Sequence, residues 1–112
     1  MAGASTIVTA WMTHGVVVER LVGASGTGAP AYGEPEALAA FVDPGESYVR
    51  GTAGESVLST ATVYLPVTVE TIPVGSRVGL PTDFGGRVAT VVQSAHRRSG
   101  RGTPDHLEVK LT

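Results

Sequence analysis

Hydrophobic and polar residues alternate along most of this chain with a period of two. Residues 15–22 (GVVVERLV) place Val16, Val18, Arg20 and Val22 on one side of an extended backbone and Val17, Glu19 and Leu21 on the other. Residues 56–65 (SVLSTATVYL) set Val57, Ser59, Ala61, Val63 and Leu65 against Leu58, Thr60, Thr62 and Tyr64. Residues 77–80, 86–94 and 106–111 are three further β-branched runs, and 38–42 is a shorter apolar piece stopped by Asp43-Pro44-Gly45. A period of two marks strands with one buried face. The pattern predicts an all-β fold of six short strands. Turn chemistry separates them: Pro73 and Gly75 suit a tight turn, 81–86 a hairpin connection, and 99–105 a longer polar link. Residues 1–14 read as an N-terminal arm, and 23–36 and 43–56 as long flexible loops without periodicity. Short strands with Gly/Pro turns fit a small six-stranded barrel, whose closure removes exposed edges.

A length of 112 residues allows one domain. Aromatic residues are only 5% of the chain, so the core must be built from Val, Leu, Ile and Ala, and contact with neighbouring subunits is expected to add to it. There is no Cys, which excludes disulfides and thiolate metal sites. No apolar run reaches the roughly 18 residues that span a bilayer, and the N-terminus lacks the basic and apolar regions of a secretory signal, so no membrane partner is expected. Net charge is −2 but unevenly placed: up to Ser76 there are two arginines against seven carboxylates, and from Arg77 onward six basic residues against three. Such polarity favours contact between unlike ends of neighbouring copies.

Candidate chemistry is sparse. There is no G-x-S-x-G elbow, and residues 23–28 (GASGTG) lack the Lys-Ser/Thr of a phosphate loop. His96, Asp105 and His106 could be imagined as a metal-dependent hydrolytic centre, but an Asp after Pro104 is ordinary turn chemistry. We expect no enzyme, no catalytic residue, no cofactor and no metal. The most basic cluster, Arg97, Arg98 and Arg101 on a Gly-containing link, suits a protein partner or sequence-independent proximity to DNA phosphates.

From residue 56 onward the order of elements is SVLSTATVYLP, IPVGSRVGLP, GGRVATVVQSAH and TPDHLEVKL, preceded near the N-terminus by WMTHGVVVER. This order resembles the head-closure, or stopper, proteins of the head-to-tail connector in long-tailed bacteriophages (siphoviruses), especially those of actinobacteria. The resemblance implies a β-barrel in a homo-oligomeric ring, hexamer or dodecamer, between the portal or adaptor and the tail terminator. It also implies a place in the virion neck, assembled in the host cytoplasm, around the channel by which DNA leaves. A long loop of such proteins narrows that channel. By position it corresponds here to Asp43, Gly45, Glu46, Tyr48, Arg50, Gly51, Gly54 and Glu55, an acidic segment with glycines that would let it swing. Trp11, on the arm, and Phe84, at a hairpin tip, are the candidate interface anchors.

Two rival readings stand beside this one. Another neck component, terminator or adaptor, would require helices that the sequence does not show. A monomeric β-barrel binding module for peptide or nucleic acid would use the same strands without a ring.

Overall fold

A computed structural model describes residues 14–24, 26–98 and 105–112. The strands in chain order are β1 (His14–Glu19), β2 (Leu21–Ala24), β3 (Pro30–Tyr32), β4 (Glu36–Asp43), β5 (Ser47–Arg50), β6 (Ser56–Ser59), β7 (Ala61–Pro66), β8 (Arg77–Gly79), β9 (Val88–Arg97) and β10 (His106–Leu111). Six of them, in the order β1-β4-β7-β10-β9-β8, close an antiparallel barrel, as the sequence pattern predicts. The other four form two separate hairpins, β2-β3 and β5-β6. Apart from one 3-10 turn at Thr82–Phe84, the described residues are strand and loop.

The alternation decides which side chains enter the barrel. Val42, Val63 and Val109 lie side by side across β4, β7 and β10, and Val18, Val78 and Ala89 across β1, β8 and β9. All six are buried, together with Val16, Ala40, Leu65, Leu80, Val91, Leu107 and Leu111. No aromatic ring is among them, because the bore of a six-stranded barrel is narrow and medium aliphatic side chains fill it. Each fully buried Val or Leu contributes about 1.5–3 kcal/mol relative to exposure.

One end of the barrel is capped. The β7–β8 connection crosses it and lowers Ile72 onto the core, where it is fully buried. Four hydrogen bonds hold this crossing. The Arg20 guanidinium donates to the carbonyls of Thr71 (3.2 Å) and Glu70 (3.3 Å) and pairs with Glu36. His96 Nε2 donates to the Val69 carbonyl at 2.9 Å, and buried Ser76 Oγ accepts from the Leu21 amide at 2.9 Å. Gly75 (φ +96°) makes the turn into β8, and a Cβ there would lie 2.9 Å from Leu21 Cδ2.

The structure differs from the sequence pattern at two breaks. The run 15–22 is not one strand: it ends at Glu19, and Leu21 begins β2. At the break the Arg20 carbonyl accepts from the Gly33 amide at 2.8 Å and the Leu21 amide donates to Ser76 Oγ, while the Arg20 side chain reaches carbonyls fifty residues away. The run 56–65 likewise divides at Thr60, whose amide donates to the Leu111 carbonyl. Both segments read as aperiodic loops, 23–36 and 43–56, carry strands of these hairpins.

Antiparallel closure also rearranges the charge. The strands of the acidic first part, β1, β4 and β7, are contiguous, and so are those of the basic second part, β10, β9 and β8. The division therefore runs lengthwise through the barrel, not end to end as expected. Ion pairs cross one of its two seams: Arg77 on β8 reaches Glu19 on β1 at 3.2 Å. Across the other, Lys110 on β10 donates to Thr62 Oγ1 on β7 at 3.0 Å.

Candidate functional site

The segment matched to a channel loop is the β5-β6 hairpin, inserted between β4 and β7 at the barrel end opposite the cap. Its ladder pairs Ser47 with Ser59, Tyr48 with Leu58, Val49 with Val57 and Arg50 with Ser56. Paired residues share a face. Ser47, Val49, Val57 and Ser59 form the more buried side, and Tyr48, Arg50, Ser56 and Leu58 the exposed one. Tyr48 is 74% exposed and Leu58 40%. The tip is closed by its own backbone, with the Gly51 amide on the Glu55 carbonyl (2.7 Å) and the Gly54 amide on the Gly51 carbonyl (3.0 Å). The Glu55 carboxylate folds over Gly51 and accepts from the Ala53 amide at 3.0 Å.

Gly51 and Gly54 thus shape the tip, and of the glycines expected to permit a swing only Gly45 lies at the base. Asp43 ends β4 beside Thr62, and Glu46 immediately precedes β5. Arg50 makes no ion pair among the described residues.

The basic cluster lies at the capped end, where β9 finishes and β10 starts. Arg97 Nε donates to Glu108 Oε1 at 3.0 Å, an ion pair within the barrel wall. Arg98 is exposed. Arg101 lies outside the described residues, as does Trp11. The candidate hairpin and the described residues of the basic cluster, Arg97 and Arg98, therefore lie at opposite ends of the barrel rather than in one site.

His96 pairs with inward-facing Leu107, and His106 with Arg97 on the outer face. Neighbours in a strand ladder that differ by one residue point to opposite faces. His96 is bonded to Val69 inside the capped end, while His106 packs edge-on to Tyr64 at 5.3 Å outside. The two imidazoles and Asp105 do not converge.

Phe84 is packed on the core cluster and stands edge-on to His14, with ring centroids 4.9 Å apart, so part of its surface is already used by its own barrel. It belongs to a row that the sequence reading did not assemble. His14 stacks on Phe41 (5.7 Å), Phe41 lies 6.0 Å from Tyr64, and Tyr64 meets His106. The row runs along the outside of β4, β7 and β10, beside Asp43, Thr62, Glu108 and Lys110. The Tyr64 hydroxyl is held above its ordinary pKa by burial, then by the negative charges of Glu108 and Asp43. Phe41, Tyr64 and His106 are far apart in sequence. The one available signal was Tyr64 on the polar side of an alternating strand, where a large ring is out of place.

No family model matches the chain, and no curated protein matches it either.

Proposed function

We propose that this chain is a structural component of the neck of a long-tailed bacteriophage, a stopper whose copies form a ring around the DNA exit channel. The observation that carries the reading is the β5-β6 hairpin, which has its own ladder and is inserted at one end of a closed barrel, in the segment that the resemblance matches to the stopper loop. A barrel with a complete core makes a stiff wall unit, and a hairpin with its own ladder moves as one body about its base. In a ring, each copy turns the tip of one hairpin, residues 51–55, toward the lumen. Asp43, Glu46 and Glu55 outnumber Arg50 along that segment, so the lumen repels phosphate and does not retain the cargo it must release. The hairpins narrow the bore by their bulk. The opposite, capped end carries Arg97 and Arg98 toward a neighbouring neck component, the portal or adaptor on one side or the terminator on the other.

The test is the position of the gene product in an electron-microscopy map of intact virions, combined with replacement of residues 46–58 by a short Gly link. Ser47 and Ser59 are ladder partners, so the gap is small enough to bridge. The expected result is a ring at the head–tail junction and shortened-loop heads that package DNA but leave it open to nuclease. Heads that stay sealed and join tails normally would refute the gating role.

A further inference from the structure

Among the described residues, two exposed faces are complementary in chemistry. The first is the outer face of the β5-β6 hairpin, with Tyr48, Leu58 and Arg50, which makes no ion pair among those residues. The second is the aromatic row outside β4 and β7, where Phe41 is 38% exposed and Tyr64 half-buried, bordered by Asp43. Asp43 makes no ion pair among the described residues, and its negative field is felt at the Tyr64 hydroxyl. The hairpin turns its exposed face away from its own core, so the chain does not cover that face itself.

We infer that the hairpin of one copy docks on the aromatic wall of the next, with Tyr48 and Leu58 against Phe41 and Tyr64 and with Arg50 facing Asp43. An aromatic row on a barrel could also stack nucleic-acid bases. Here Glu108 is already paired with Arg97 and Lys110, but Asp43 at the row's edge makes no ion pair among the described residues, and such a carboxylate suits a cation rather than a phosphate. The contact is heterologous: two different patches meet, and every copy carries both, so copies add in one rotational sense and close when the rotation fits. One hairpin face buries an area in the weak class, below about 1,200 Å² in total, so single contacts are transient and a complete ring gains from every copy using both patches. This deepens the ring reading and rests on it for closure around an axis.

The absence of cysteine allows a direct test on the purified chain. Arg50→Cys and Asp43→Cys copies, mixed at up to about 1 mM protein and treated with a short bismaleimide, are expected to give the mixed dimer several-fold faster than either variant gives a dimer alone. In sedimentation, Arg50→Glu and Asp43→Arg are each expected to weaken self-association about tenfold, and their mixture to regain it in alternating copies, since both mixed junctions then join opposite charges. All four substitutions are at exposed positions, and circular dichroism checks that each variant is folded. Same-variant dimers forming as fast as mixed ones would overturn the inference, as would a wild-type chain that stays monomeric throughout. Binding of a single-stranded oligonucleotide that is lost in Phe41→Ala would assign the wall to nucleic acid instead. Because no other neck protein is present, failure here leaves the location of the protein in virions as a separate result.

Discussion

The barrel carries two long excursions, and they are held in opposite ways. The β7–β8 crossing has no ladder of its own. It is fixed by what it touches: Ile72 in the core, Arg20 on two of its carbonyls, and His96 on a third. The β5-β6 hairpin touches the barrel on one face only and is fixed mainly by its own backbone bonds. A connection clamped from outside cannot move without opening the core, whereas a self-bonded one can pivot intact. The difference separates a segment that completes the fold from one that is free to serve a partner.

The comparison is tested most severely at Ile72. Ile72→Ala removes the lid of the core and should cost about 3 kcal/mol, read as a lower midpoint in urea unfolding. A loss below about 1 kcal/mol would mean the crossing is not a cap. Next is Gly75→Ala, which combines a left-handed backbone with a forced shift of Leu21 and should cost about 1–2 kcal/mol. Its counterpart Gly54→Ala, at φ +86° with open space around it, should cost about 1 kcal/mol or less and change exchange rates of hairpin amides only. At the small end, Tyr48→Ala with Leu58→Ser should leave global stability within about 0.5 kcal/mol, because both side chains are exposed. A large loss from that pair would show the hairpin to be part of the core.

The barrel wall gives a pH-dependent check. Tyr64 in the folded chain holds its proton more tightly than in the unfolded one, so above pH 10 the unfolded state binds fewer protons. Stability is therefore unaffected by this group below its ordinary pKa and falls as pH rises through the raised one. Tyr64→Phe should flatten the alkaline limb of a stability-against-pH curve. An unchanged limb would place the burial and the two acids elsewhere than beside this hydroxyl.

The barrel was legible in the sequence because its core obeys a local rule: Val16 and Val18, Val63 and Leu65, and Val109 and Leu111 alternate as inward residues must. The breaks were not legible. Val18, Arg20 and Val22 continue the same alternation, and the partners met at the break, Gly33, Ser76 and the carbonyls of residues 70 and 71, are all distant in sequence. The hairpins escaped notice because Gly-rich segments read as linkers, although backbone pairing needs no apolar pattern. The aromatic row escaped for a related reason: strand register, not sequence proximity, brings Phe41 to Tyr64 and Tyr64 to His106.

The lengthwise division of the barrel bears on how the molecule is made. While a ribosome has delivered only β1, β4 and β7, these strands form a half-cylinder whose two borders lack partners. The strand that joins β7 to β9 is β10, the last to be synthesised of the six. Closure therefore waits until β10 has been made and has left the ribosome, and until then the Val-rich interior is open to chaperones and to other unfinished copies.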